Sequence, residues 1–167
     1  MATDRIISDI DRSILEILQN NARESQADIA RAVGLAPSAV LERIRKLEAR
    51  GVIRGYIADI DPRALDQGML SFVAVRSEHG PDDDSVARAL AACPAVLEVH
   101  HVAGEDCFLV KVRAADTEAL GRLLRERLGK ISTISSTRTT IVLESVKETI
   151  ELPIVREQAE EEEAASA

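Results

Sequence analysis

Residues 37–50 read PSAVLERIRKLEAR, and this stretch decides how the first third of the chain folds. Proline suits the first turn of a helix, and Gly51, directly after the stretch, suits its end. The apolar residues recur at helical spacing and predict one buried face, formed by Val40, Leu41, Ile44 and Leu47. Small and charged residues project from the other side: Ser38, Ala39, Glu42, Arg43, Lys46 and Arg50. The stretch therefore predicts an amphipathic helix.

Two shorter helices precede this one. Ser8 and Ser25 each stand three residues before an aspartate, a capping-box pattern that marks the start of a helix. Asn20-Asn21 ends the first helix, and Gly34 ends the second with a positive φ. A short helix, a turn with glycine and a second short helix form the helix-turn-helix pattern, whose second helix enters the major groove of DNA. The third helix starts weakly, because Ala36 stands where a capping Ser, Thr or Asp is preferred.

The charge of the chain is distributed unevenly. The net charge is −8, yet residues 1–60 carry nine basic and nine acidic side chains. Within residues 36–56, five basic residues stand against two acidic ones, so basic character is local to the third helix and its flank. Residues 157–167 hold five glutamates and no apolar residue larger than alanine, which predicts a solvated tail.

The helical periodicity alone also fits a plain three-helix bundle with a solvated charged face.

The composition argues against several other classes of protein. Aromatic residues make up 2% of the 167, which leaves almost no platform for stacking single-stranded bases. No apolar run reaches the roughly 18 residues of a membrane span, and residues 1–10 lack the apolar stretch of a signal peptide. Cys93 and Cys107 are too few for a disulfide framework and lack metal-ligand spacing, so we expect two buried thiols and no metal. We therefore expect a cytoplasmic protein without membrane contact.

The rest of the chain alternates strands and helices. Residues 52–58 alternate enough for a β-wing or connecting strand, and Asp61-Pro62 marks a hinge. The sequence then predicts strand 70–76, a helix opened by residues 81–84 and ended by Pro94, strands 96–102 and 107–112, a helix from Asp116 to Gly129, and strand 133–146. The order β-α-β-β-α-β is that of a ferredoxin-like split fold. The predicted class is α+β: a winged helix-turn-helix at 1–60, a βαββαβ domain at 61–150 and a disordered acidic tail at 151–167.

The predicted sheet is apolar on both faces. Leu70, Phe72 and Ala74 alternate with Val73 and Val75, whereas the two helices of such a fold cover one face only. An uncovered apolar face needs a partner. We therefore expect an obligate homodimer that forms through the sheet.

Six stretches within residues 7–148 form a specific combination: IDRSIL (10–15), VGLAPS (33–38), LERIRKLE (41–48), GVIRGY (51–56), HHVAG (100–104) and TRT (137–139). Together they resemble the Lrp/AsnC (leucine-responsive regulatory protein) family of transcriptional regulators. The resemblance implies a sequence-specific DNA-binding regulator, with a winged helix-turn-helix joined by a hinge strand to an effector-sensing, RAM-type domain. It also implies homodimers that assemble into tetramers or octamers, and a small effector, usually an amino acid, that shifts assembly or DNA affinity.

The pattern and the resemblance indicate two candidate sites. We expect double-stranded DNA to contact ten residues: Ser25, Gln26, Pro37, Ser38, Ala39, Glu42, Arg43, Arg45, Lys46 and Arg50. The resemblance implies an effector site formed by Ala103, Gly104, Glu105, Asp106, Cys107, Thr137 and Thr139. Backbone N–H groups at a glycine turn hold a carboxylate, and hydroxyl or acidic side chains hold an ammonium. We expect no catalytic residue and no cofactor apart from this effector.

Position 107 departs from the family pattern, in which the turn often reads Gly-x-x-Asp. Cys107 stands in place of that acid. Because neighbouring strand residues face opposite sides, the adjacent Asp106 is not expected to replace it. A plain β-hairpin turn without a ligand is the alternative reading of this stretch.

Two other functions are alternatives to a regulator. Some proteins that resemble this architecture are sirohaem decarboxylases with histidines near the sheet, and His100-His101 suggests such an enzyme. Alternation sends these two imidazoles to opposite faces, which argues against one shared site. The second alternative is a sensor without DNA binding, which the uncapped third helix and the neutral first 60 residues favour. We favour the regulator and expect no enzymatic activity.

Overall fold

The computed structural model describes residues 7–78 and 84–154. The chain divides into two compact units, which we describe separately. Among the described residues, unit 1 contains 7–58 and 149–154, and unit 2 contains the remainder. The sequence predicted a disordered tail from residue 151, whereas residues 151–154 belong to unit 1; the acidic stretch 157–167 lies outside the described residues.

Unit 1 is built around three helices: α1 (Asp9–Asn20), α2 (Gln26–Val33) and α3 (Pro37–Ala49). Both predicted capping serines are confirmed, because Ser8 and Ser25 each accept a hydrogen bond from the backbone N–H three residues later. Gly34 ends α2 with a φ of 68°, in the left-handed region that glycine tolerates best. Ala36 makes no side-chain capping bond, as predicted, so the start of α3 depends on packing.

The core of unit 1 forms where the three helices meet. Val40 and Ile44 of α3 are buried against Ile14 of α1 and Ile29 of α2. A missing helix cap costs about 1 kcal/mol, whereas truncating one such core side chain to alanine costs about 2–5 kcal/mol. Packing therefore outweighs the poor cap and holds α3 in place.

The tail segment of unit 1 is attached to α1 by one side chain. The amide nitrogen of Gln19 donates to the backbone carbonyl of Leu152 at 3.0 Å, and the amide oxygen accepts the backbone N–H of Leu152 at 2.9 Å. These two bonds satisfy both backbone groups of one extended residue.

The segment after α3 has no regular structure. Residues 54–61 pair with no strand in the described part of the chain, so the predicted β-wing or connecting strand is wrong for the single chain. A strand needs a hydrogen-bonding neighbour, and no described strand pairs with this segment. Tyr56 is held by its hydroxyl, which donates to the Glu48 carboxylate at 3.0 Å. Burial and this bond raise the pKa of Tyr56, and Asp61 caps a short 3-10 helix, Pro62–Leu65, at the predicted hinge.

Unit 2 has the predicted βαββαβ order. Its strands are β1 (Met69–Ser77), β2 (Val96–His101), β3 (Phe108–Ala114) and β4 (Ile134–Ile141); its helices are α4 (Asp84–Ala91) and α5 (Thr117–Glu126), followed by a 3-10 helix, Leu128–Lys130. The strands lie in the order β2-β3-β1-β4, and every neighbouring pair is antiparallel. β4 ends five residues earlier than predicted, because Ile141 already pairs with Ser71 near the start of β1. Residues 81–83, predicted to open α4, lie outside the described residues.

The helices seal one face of the sheet. Val73 and Val75 of β1 are fully buried on this face, and so are Val110 and Val112 of β3. They form one cluster with residues of both helices: Val86, Leu90 and Leu120. Cys107 belongs to this cluster, whereas Cys93 is only half-buried, so the expectation of two buried thiols holds for one of them. None of the helices in the described ranges is long and apolar enough to cross a membrane.

The other face of the sheet is mixed, not apolar as the sequence suggested. Lys111 and Arg113 of β3 lie on this face, in register with Phe72 and Leu70 of β1. The Lys111 ammonium lies 3.0 Å from Glu98 and 2.8 Å from Glu148, whose other oxygen pairs with Arg113. Residues after β4 return to supply Glu148, and together with Glu98 it neutralises these two cations of β3.

Ser71 lies on the sealed face, 1% exposed, and its hydroxyl has no hydrogen-bond partner among the described residues. Ser71→Ala removes a buried unsatisfied polar atom with little change in volume, so we expect it to raise the free energy of unfolding by about 1–2 kcal/mol. Chemical denaturation at one fixed protein concentration measures the change. The exposed Ser136→Ala on β4 is the control and should stay within about 0.5 kcal/mol of the parent. A less stable Ser71→Ala protein would contradict the prediction.

Glu148 gives a prediction for acid stability. Its hydrogen bond with Lys111 lowers the pKa of Glu148 below the usual 4.5. A carboxyl with a lowered folded pKa stabilises the protein at neutral pH, and this contribution is lost as the pH falls below 4.5 towards the folded value. Glu148→Gln should therefore destabilise the protein by about 1 kcal/mol or less at neutral pH, and by less still near pH 3. Urea denaturation at both pH values tests this, with the exposed Glu144→Gln as control. A loss of unfolding free energy in Glu148→Gln that is as large near pH 3 as at neutral pH, or larger, would contradict the prediction.

Candidate functional site

The ten residues predicted to meet DNA lie on two helices of unit 1. Ser25 and Gln26 stand at the start of α2, and the other eight lie on α3 or at its C-cap. Eight of the ten are exposed: Ser25, Gln26, Pro37, Ser38, Glu42, Arg45, Lys46 and Arg50. Ala39 and Arg43 are half-buried.

The outermost side chains of α3 are small or basic. With 3.6 residues per turn, Ser38 and Arg45 lie roughly opposite the buried Val40. Arg45 makes no ion pair with any residue that the structure describes. Lys46 lies 2.7 Å from Glu42 one turn earlier, and both side chains are exposed. Solvent screens such an exposed pair strongly, so Lys46 can exchange Glu42 for a phosphate at little cost.

A concave surface of about 450 Å³ follows the polar side of α3. It is lined by Ala39, Glu42, Arg43, Lys46 and Arg50, with Asp11 of α1 at its edge. Arg43 differs from its neighbours, because its guanidinium is directed to Asp11 at 2.9 Å and not outward. Position 43 flanks the buried stripe, which brings its side chain within reach of α1.

A second concave surface, of about 440 Å³, lies at the turn between β2 and β3 in unit 2. Its lining is His101, Val102, Ala103, Gly104, Asp106 and Cys107. Gly104 has a φ of 132°, which a residue with a side chain rarely adopts. Asp106 and Cys107 both border this surface, and their side chains point to opposite sides as expected: Cys107 packs into the cluster of the sealed face, whereas Asp106 binds Arg138 of the other face.

Two arginines that sequence reasoning did not select approach this turn. Arg138 of β4 lies 2.8 Å from Asp106, and Arg76 of β1 lies 3.3 Å from Glu105. Arg138 stands between the two selected threonines, so alternation along β4 is the signal that would have found it.

Thr137 and Thr139 do not line the concave surface in the single chain. They pair with Val75 and Val73, which lie on the sealed face of the sheet. Arg138 pairs with Ala74 on the other face. The structure therefore brings Asp106 and Arg138 together and leaves the two threonines on the opposite side of the sheet.

The adjacent histidines point apart, as predicted. His100 lies 3.0 Å from Glu98, and the ring of His101 packs on Phe108 with 5.5 Å between the ring centres. Within residues 7–78 and 84–154, no group of three His, Cys, Asp or Glu side chains is arranged to hold a metal ion.

Comparisons with known proteins agree with the division of the chain into two units. Residues 7–54 match a family model described as winged helix-turn-helix DNA-binding, and residues 70–152 match the Lrp/AsnC ligand binding domain. The chain is 40% identical over 148 residues to the HTH-type transcriptional regulator FL11 of Pyrococcus horikoshii, an alignment that covers 89% of this chain and 97% of that protein. The chain belongs to the Lrp/AsnC family of transcriptional regulators.

Other members of the Lrp/AsnC family are similar over most of their length. The leucine-responsive regulatory protein of Escherichia coli K12 is 37% identical over 147 residues, which cover 87% of this chain and 90% of that protein. The crystal structure of a transcriptional regulator from Neisseria meningitidis in complex with L-Met superposes with a TM-score of 0.82 at 27% identity, covering 89% of this chain and 97% of that one. The matched ranges place α3 in the DNA-binding domain and the β2–β3 turn in the ligand-binding domain.

Proposed function

We propose that this Lrp/AsnC regulator binds specific double-stranded DNA as a homodimer in the cytoplasm. We further propose that an amino acid bound at the β2–β3 turn shifts its assembly or its DNA affinity. The observation that carries the proposal is the exposed polar face of α3, with Ser38, Arg45 and Lys46 outward, inside a matched winged helix-turn-helix.

The chemistry of this face suits a duplex. A small residue near the start of α3, Ser38, permits close approach to base edges, and the basic residues that follow reach phosphates or guanine. Two copies of the helix are needed, because one short helix with few cations supplies little of the counterion release that drives DNA binding. A dimer reads two half-sites at once.

The open face of unit 2 and exposed apolar residues of the irregular segments support the homodimer. Phe72 and Ala74 are only half-buried in the single chain. Leu143 and Val146 after β4 are almost fully exposed, and Ile57 and Ile60 of the unpaired linker are exposed as well. A second copy of the chain would cover such surface, and further contacts of the same kind would give tetramers or octamers.

The turn between β2 and β3 suits a ligand with both charges of an amino acid. The Arg138 guanidinium already binds a carboxylate, that of Asp106, at 2.8 Å. An effector carboxylate that takes the place of Asp106 frees Asp106 to hold the effector ammonium. The L-Met complex of the Neisseria relative supports this class of ligand.

DNA binding is tested with a fragment of the promoter of the protein's own gene in a gel-shift titration at several salt concentrations. The affinity should fall steeply with salt, and Arg45→Ala and Lys46→Ala should each weaken binding at low salt and lower the salt slope by about 1. The control is Arg122→Ala, an exposed arginine of α5 that is paired within its own helix. Binding that is unchanged in both α3 variants would place the DNA interface elsewhere.

Effector binding is tested by thermal shift against the twenty amino acids. A ligand that binds only the folded state at about 100 times its Kd stabilises the protein by roughly 2.7 kcal/mol, which raises Tm by several degrees. Arg138→Ala should lose most of that shift, and the matched Arg122→Ala should keep it. If no amino acid shifts the parent protein, the proposed effector class is wrong.

A further inference from the structure

Arg43 joins the candidate recognition helix to the first helix of unit 1. Its Nη1 atom lies 2.9 Å from Oδ1 of Asp11 and 3.5 Å from the Ser8 hydroxyl. The other carboxylate oxygen of Asp11 accepts the Ser8 hydroxyl at 2.7 Å. Both oxygens of Asp11 are therefore occupied, one by the cap of α1 and one by α3.

This pair is shielded more than the Lys46–Glu42 pair of α3. The side chain of Asp11 is 14% exposed and that of Arg43 is 36% exposed, whereas Lys46 and Glu42 are both about two-thirds exposed. Burial raises the pKa of Asp11, but hydrogen bonds from Ser8 and Arg43 and the charge of Arg43 outweigh it and lower that pKa. The carboxylate is charged at neutral pH, and its bond to Arg43 is charge-assisted.

α3 needs such a directional contact. Its buried stripe is apolar, and the hydrophobic effect that buries this stripe is non-directional. Ala36 gives it no capping bond that would fix its start. A helix with its side chains is about 10–12 Å wide, so a rotation of about 20° about its axis moves an outward side-chain tip by roughly 2 Å. That displacement exceeds what a hydrogen bond to a base edge tolerates.

We propose that Arg43 is a positioning residue, which together with Asp11 fixes the rotation of α3 about its own axis and does not itself read DNA. The proposal rests on the proposed DNA-binding function and revises the expectation that Arg43 contacts DNA. The residues that meet the duplex are then the outward ones, Ser38, Arg45 and Lys46.

The two roles for Arg43 give opposite signs for one substitution. If Arg43 reads DNA, Asp11→Asn removes a nearby negative charge and releases the guanidinium, so binding tightens. If Arg43 positions α3, Asp11→Asn breaks the same contact that Arg43→Gln breaks, so both variants bind more weakly. The double variant is then no worse than either single one, because residues that act through one contact are not additive.

The experiment measures the affinity of the full-length parent protein and of four full-length variants: Asp11→Asn, Arg43→Gln, Arg43→Lys and the double variant Asp11→Asn/Arg43→Gln. The probes are a duplex from the promoter of its own gene and a scrambled duplex of the same length. We expect Asp11→Asn and Arg43→Gln each to lose on the order of tenfold for the promoter duplex and little for the scrambled one. Arg43→Lys, which keeps the charge opposite Asp11, should recover part of the loss. Thermal denaturation confirms that each variant is folded at the assay temperature.

The outcomes separate this inference from the proposed function. Tighter promoter binding by Asp11→Asn, or additive losses in the double variant, would overturn the positioning role and leave DNA binding intact. So would equal losses on both duplexes, since a phosphate contact weakens all sequences alike. A parent protein that does not bind duplex DNA would refute the proposed function, and the inference with it.

Discussion

The polar face of α3 depends on one apolar contact, the packing of Val40 and Ile44 against Ile14 and Ile29. This packing is the main support of the helix among the described residues, because the N-terminus of α3 lacks a cap and its Lys46–Glu42 pair is exposed. The core fixes where α3 lies, and its amphipathic pattern then decides which side chains face outward. The polar bond from Arg43 to Asp11 adds the direction that apolar packing does not provide.

Unit 2 also depends on apolar packing, here between two helices and one face of the sheet. Sealing one face of the sheet buries a valine cluster and gives the unit its stability. It also leaves the opposite face to a mixture of apolar and charged groups, in which Lys111 and Arg113 are neutralised by Glu98 and Glu148. A concave surface remains where the sheet ends, at a glycine turn flanked by arginines from two other strands. The order of the strands therefore brings together the residues of the candidate ligand site.

The local part of this structure could be predicted from the sequence. Both serine caps, the positive φ at Gly34 and the order of strands and helices are written in patterns a few residues long. Contacts between distant residues could not. Arg43 was assigned to the DNA face because its partner lies 32 positions away, and β4 was drawn too long because its end is set by the length of β1.

The residues of the candidate sites also divide into those that a local motif predicts and those that only contacts between distant residues bring together. The turn at Gly104 was visible as a motif, whereas Arg138 enters that site only through the register of a strand that the motif does not contain. Thr137 and Thr139 were placed there through a family resemblance, and the face they occupy is decided by their pairing with β1. Hydrophobic periodicity therefore predicted which elements form, and the pairing of those elements decided which side chains meet.

The contact between Tyr56 and Glu48 has a practical consequence. The chain contains one tyrosine and no tryptophan, so all its intrinsic emission above the phenylalanine background comes from Tyr56. That phenol is hydrogen-bonded to a carboxylate near the end of α3, and its ionisation is displaced by the same contact. The protein thus carries a single native optical reporter, located where α3 passes into the linker. Its signal reads out that junction without any label.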